Sequence, residues 1–188
     1  MTTLILGPMY CGKTSQLFRY MERDHYAKTK FCLIRPSIDT RDFVSHSSSV
    51  NENFKGLDIP TFRVSEITTG FLLSLNEFDA IYIDEAFMIK NIWGVPFSFP
   101  RKDIYIASLL ASSENRIFEE VAKLLPYCEH IEKLNSVCTK CGNKTANYTI
   151  CTVDKENEIH VGGQESYIVL CSDCKNKPIG DKHNEYYS

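Results

Sequence analysis

The segment Gly7-Pro8-Met9-Tyr10-Cys11-Gly12-Lys13-Thr14 constrains this chain more than any other. It fits G-x-x-x-x-G-K-[ST] in full, directly after the apolar run Thr2–Leu6 and before a pattern of apolar residues at helical spacing, Leu17, Phe18 and Met21. A strand that turns sharply into a helix through such a loop presents backbone N–H groups and the positive end of the helix dipole to an anion. Gly7 and Gly12 supply the backbone freedom and close approach that the wrap needs. The motif therefore predicts a nucleoside triphosphate site built from Gly7, Pro8, Met9, Tyr10, Cys11, Gly12, Lys13 and Thr14. Lys13 reaches the β and γ phosphates, and the Thr14 hydroxyl ligates magnesium. A thiol near a helix N-terminus can have a lowered pKa, so Cys11 is a candidate oxidation or alkylation site.

The rest of the first 134 residues reads as strands alternating with helices. Strands are expected at Phe31–Arg35, Thr61–Val64, Ala80–Ile83, Ile104–Leu110 and around Ile131. Helices are expected from Lys13 to about Ala27, from Ser65 and Glu66 over Ile67, Phe71, Leu72 and Leu75, and over Ile117, Val121, Leu124 and Leu125 up to Pro126. Residues 37–56 read as a long polar loop and residues 87–102 as irregular. This alternation predicts an α/β fold, a P-loop parallel sheet flanked by helices. At the end of the fourth expected strand stand Asp84 and Glu85, where parallel sheets gather their ligands. One carboxylate there can hold magnesium, and its neighbour can deprotonate an attacking hydroxyl.

After residue 134 the pattern changes to short β-like runs, paired glycines and paired cysteines. Cys138/Cys141 and Cys171/Cys174 form two Cys-x-x-Cys pairs, the donor set of a closed, structural four-thiolate zinc site. The stretch between the pairs leaves room for a β-hairpin. The expected division is a nucleotide-binding domain over 1–134, a small C-terminal zinc-ribbon domain over 135–177 and a flexible tail over 178–188. Cys32, Cys128 and Cys151 read as small buried hydrophobes.

The 188 residues carry a formal net charge of -3, which does not favour a nucleic-acid partner. No run is long and apolar enough to span a membrane, and no signal peptide is evident, so a reducing cytoplasm is expected.

Taken in order, these elements resemble the zinc-containing thymidine kinase family related to the cellular cytosolic enzyme, over nearly the whole chain from Leu4 to about Lys177. Gly7-Pro8-Met9 opening the loop resembles the family's Gly-Pro-Met-Phe-Ser-Gly-Lys-Ser/Thr. Asp39-Thr40-Arg41 and Ser45-His46 resemble its segment after the second strand, and Asp84-Glu85-Ala86-Phe87 resembles Asp-Glu-Gly/Ala-Gln-Phe. The resemblance implies transfer of the γ-phosphate of ATP to the 5'-hydroxyl of thymidine, with Glu85 as the base. Asp39 and Asp84 would organise magnesium, and Arg41 would lie near the phosphates. Met9, Phe118, Val161, Gly162, Gly163 and Tyr167 would surround the nucleoside, the glycines in a lasso between the cysteine pairs. His46 receives no role. A homotetramer and feedback inhibition by thymidine triphosphate are also implied. Phe87 stands where the family has Gln, Ser113 where an aromatic residue commonly stacks on thymine, and Leu110, Ala111 and Ser112 replace a typical Asp-Gly-Thr. These departures bear on the acceptor. The rival readings are a related deoxynucleoside kinase with another acceptor, and a nucleotide-dependent nucleic-acid-binding module that grips through its zinc ribbon.

Overall fold

A computed structural model describes residues 1–39, 59–153 and 165–176. Its main sheet has six strands, all parallel: β1 (Thr2–Gly7), β2 (Phe31–Pro36), β3 (Thr61–Val64), β4 (Ala80–Ile83), β5 (Asp103–Leu109) and β6 (His130–Lys133), in the order β3-β2-β4-β5-β1-β6. The register runs Ile5↔Ala107 between β1 and β5, Ile81↔Ile104 between β4 and β5, and Leu33↔Tyr82 between β2 and β4. The four strands from β2 to β1 are buried along nearly their whole length because parallel sheets are covered on both faces.

Strand residues alternate between two cores, as a period of two requires. Leu4, Leu6, Ile34, Ile81, Ile83, Ile104 and Ile106 face one layer, filled by Ile67, Leu75, Phe78, Phe118, Val121 and Leu124. Ile5, Leu33, Tyr82, Tyr105 and Ala107 face the other, covered by Leu17, Phe18 and Met21 of α1 (Lys13–Tyr26). In that second layer Tyr20, Tyr105 and Tyr82 stack at centroid separations of 4.6 and 4.9 Å, and the Tyr82 hydroxyl donates to Asp24 at 2.7 Å.

The α/β architecture agrees with the sequence pattern, but two helix starts do not. The helix expected from Ser65 begins later, as α2 (Thr69–Ser74). Thr68 is extended and its side chain accepts the Phe71 N–H, so the cap sits three residues downstream. Ile67 is instead tied to the next segment, its N–H donating to the Lys90 carbonyl at 2.9 Å. Likewise Ile117 lies outside its helix and is 49% exposed, because Phe118 is the extended N-cap of α4 (Glu119–Leu124). Residues 87–102, expected to be irregular, hold a 3-10 turn at Ala86–Met88 and the short helix α3 (Gly94–Ser98).

Beyond Leu134 the chain forms a separate antiparallel pair, β7 (Tyr148–Cys151) and β8 (Tyr167–Leu170), followed by the one-turn helix α5 (Ser172–Asn176). Cys138, Ala146, Ile168, Val169, Leu170, Cys171 and Cys174 make its small core. The expected loop over 37–56 lies outside the described residues save for 37–39, and the tail over 178–188 lies wholly outside them.

Candidate active site

The motif loop joins β1 to α1, and its two glycines are needed for different reasons. Gly12 is the helix N-cap at φ 85°, in the left-handed region. A Cβ on Gly7 would lie 2.5 Å from Cys11 Sγ and 2.7 Å from the Leu134 carbonyl oxygen, so Gly7 is fixed by crowding. Tyr10 is also left-handed, at φ 61°. The Lys13 ammonium is buried and donates to the Pro8 carbonyl at 2.7 Å, which holds it across the loop.

The loop also leans on the C-terminal lobe. The Met9 N–H donates to Thr149 Oγ1 of β7 at 3.0 Å, and the Met9 and Tyr10 side chains pack on the lobe's core. Burial, with Glu165 and Tyr167 nearby, pushes the Tyr10 phenol up to about 12. Cys11 does not behave as its place beside a helix start suggests. Burial raises its thiol above the ordinary value, opposed by the Lys13 ammonium 3.8 Å away.

Thr14 Oγ1, on the first turn of α1, lies 3.3 Å from both carboxylate oxygens of Asp84, the residue that follows β4. Two elements far apart in sequence thus place a hydroxyl and a carboxylate at one point. Both offer hard oxygen donors, the set a magnesium ion prefers. Asp84 is buried, and desolvation, with Glu85 adding, raises its pKa to about 7, while Arg35 and Lys13 pull it down. Glu85 is half-buried and left-handed at φ 51°, and its N–H donates back to Asp84 Oδ1 at 3.1 Å. A non-glycine residue in that region at the end of a central strand marks a backbone held against its preference.

The sequence assigns Arg35 no role, yet its guanidinium is buried and pairs with Asp39 at 2.7 Å. Arg63 donates to the Asp39 carbonyl oxygen. An arginine inside the apolar run of β2 was the available signal, since a buried cation needs a partner. Thr149 gave no local signal, because its role depends on a contact across the fold. Phe118 is buried, its ring 4.5 Å from that of Phe87. Tyr167 is buried at the start of β8. Arg41, His46, Val161, Gly162 and Gly163 lie outside the described residues.

The four cysteines of the C-terminal lobe converge: the Sγ atoms of Cys138, Cys141, Cys171 and Cys174 all lie within 4.8 Å of one another. Cys141 and Cys171 are 3.7 Å apart, close to the edge of about 3.8 Å in a tetrahedron of sulfurs about 2.3 Å from a central zinc. Gly142, at φ 73°, donates its N–H to the Cys138 carbonyl and closes the first knuckle. Burial opposes ionisation of Cys138, but backbone N–H groups of Cys171, Cys141 and Lys140 bring its thiol down to about 6. The cluster fits a zinc ribbon, with one metal ion held by four sulfurs. None of the eight cysteines is in a disulfide, and of those outside the lobe's cluster Cys32 is buried and Cys128 and Cys151 are half-buried.

Comparison with known proteins agrees with this geometry. The family model described as thymidine kinase matches residues 1–175. The chain belongs to the thymidine kinase family. It is 30% identical over 178 residues to a thymidine kinase of Pseudothermotoga lettingae, covering 93% of this chain and 94% of that one. It is 32% identical over 177 residues to that of sheeppox virus, covering 91% and 94%. To that of Acanthamoeba polyphaga mimivirus it is 30% identical over 184 residues, covering 93% and 81%. Membership in the thymidine kinase family makes the chain a phosphotransferase and agrees with the resemblance read from the sequence. It implies a nucleoside triphosphate donor and a divalent metal.

Proposed function

We propose that this enzyme transfers the γ-phosphoryl group of ATP to the 5'-hydroxyl of thymidine, with Glu85 as the base. The observation that carries the reading is the meeting of Thr14 and Asp84 at 3.3 Å, with Glu85 as the next residue. Gly7, Pro8, Met9, Tyr10, Cys11, Gly12, Lys13 and Thr14 cradle the donor, assisted by Arg41. Lys13 leaves the Pro8 carbonyl for the β and γ oxygens. Glu85 takes the proton of the 5'-hydroxyl, the freed oxygen bonds to the γ-phosphorus, and the bond to the β-bridging oxygen breaks to release ADP.

Thr14 and Asp84 are the residues that would hold magnesium, whose contribution there is charge neutralisation on the phosphoryl oxygens. Asp39 would help organise magnesium with them; its carboxylate is paired with Arg35, the cation that also offsets the Asp84 charge. Met9, Phe118, Val161, Gly162, Gly163 and Tyr167 bind the nucleoside, and thymidine triphosphate inhibits by entering the same place. In this reading residues 1–134 hold the donor, and 135–177 form the lobe that covers the acceptor. The four cysteines hold structural zinc. Among the described residues no helix is long and apolar enough to cross a membrane, and eight cysteines with no disulfide between them suit a reducing cytoplasm. The enzyme works as a homotetramer.

Glu85→Gln is the direct test. The variant is expected to bind ATP and thymidine as the parent does and to lose roughly 10²–10⁴-fold in kcat. Turnover at the parent rate would remove Glu85 from its role.

A further inference from the structure

The strained backbone of Glu85 is held by a short lever. Glu85 sits at φ 51°, ψ 44°, a conformation that costs a non-glycine residue energy and persists only where its surroundings over-determine it. From there the chain makes the single 3-10 turn Ala86–Met88. Met88 N–H bonds to the Glu85 carbonyl and Ile89 N–H to the Ala86 carbonyl, each at 3.1 Å. A lone turn of this kind has little stability of its own, so its side chains must fix it.

Ala86 and Ile89 are fully buried. Between them the Phe87 ring packs at 4.5 Å and 34° against that of Phe118, the N-cap of α4. That helix is itself anchored, with Val121 and Leu124 fully buried. The Glu120 carboxylate also accepts the Ile92 N–H at 3.3 Å, a second tie to the segment that carries the turn. Glu85 is therefore two residues from a ring locked into the core.

We infer that Phe87 is a positioning residue for Glu85. It holds residue 85 in the left-handed conformation and so keeps the carboxylate where the acceptor hydroxyl must meet it. This rests on the reading of Glu85 as the base. A Phe87 that only filled space would set stability and leave the turnover of the folded enzyme unchanged.

A double-mutant cycle separates the two. Phe87→Leu keeps apolar volume but loses the ring contact, and Phe87→Ala removes both; thermal melts establish which is folded at assay temperature. In the folded variant kcat is expected to fall roughly 10–100-fold, while KM for ATP changes less than about twofold. Introduced into Glu85→Gln, the same substitution is expected to cost less than about twofold, because it acts through a group already disabled. An unchanged kcat of the folded variant, or an equal loss in both backgrounds, overturns the proposal. If Glu85→Gln alone keeps the parent rate, the base assignment fails first and takes this proposal with it.

Discussion

Gly7→Ala tests whether crowding, and not backbone freedom, sets the first glycine of the loop. Its Cβ would meet Cys11 Sγ at 2.5 Å and the Leu134 oxygen at 2.7 Å, where ordinary contact begins at 3.4 Å. The sulfur can turn away by changing rotamer. The carbonyl cannot, because Leu134 N–H is bonded to the Leu6 carbonyl at 2.8 Å and Leu134 continues the pairing of β1 with β6. Either the strands or the loop must move by about 0.7 Å in a close-packed interior. Overpacking of this kind costs about 1–3 kcal/mol. If the strands yield, the cost appears in urea unfolding. If the loop yields, it appears in ATP affinity, about tenfold in Kd for each 1.4 kcal/mol. Calorimetric titration with ATP, run beside the unfolding curve, captures both. Adding Cys11→Ala should recover less than half of the loss, since the carbonyl clash stays. Gly12→Ala is the control: nothing lies within 4 Å of its Cβ, so only the left-handed penalty of about 1–2 kcal/mol applies. The reasoning fails if Gly7→Ala matches the parent in both assays, or if Cys11→Ala restores it fully.

Other expectations concern charge, metal and capping. Because the Asp84 pKa is raised from 3.8 to about 7 in the fold, its contribution is fully present below the unfolded pKa and is lost as pH rises through 7. Asp84→Asn, without added magnesium, should therefore be more stable than the parent at pH 8–9 by roughly 2–4 kcal/mol. That advantage should shrink as pH falls from 7 towards 4, and a flat difference in pH-resolved unfolding would contradict it. Stripping metal from the four-cysteine lobe with a chelator, or Cys174→Ala, should lower Tm and speed proteolysis after residue 134, checked by limited digestion and metal analysis. Thr68→Ala should cost about 1 kcal/mol in urea unfolding with no change in nucleotide affinity.

Much of the fold was legible because its signals are local. The loop motif, the short apolar runs of the strands and the Leu17, Phe18 and Met21 face of α1 depend on nearest neighbours in sequence. So does the Cys-x-x-Cys spacing, although only the fold brings the two pairs together. Helix starts were less legible: Ser65 and Thr68 are both acceptable caps, and the choice is made by Ile67 pairing with Lys90. The site followed the same rule. Thr14 and Asp84 could each be named from their motifs, but not Arg35 with Asp39, Thr149 with Met9 or Phe87 with Phe118. Those depend on which segments the sheet order brings side by side, and a charged or hydroxyl residue in a strand does not announce its partner. The Cys11 thiol shows the opposite failure, where a general expectation about helix ends lost to local burial.

The bond from Met9 to Thr149 spans 140 positions of the chain. The nucleotide loop leaves the ribosome well before the surfaces it rests on. At ~5–20 residues per second, several seconds or more separate the two. Until then Met9 and Tyr10 are exposed apolar groups on an unfinished loop, so nascent chains and C-terminally truncated forms should neither retain nucleotide nor stay dispersed as well as the finished protein.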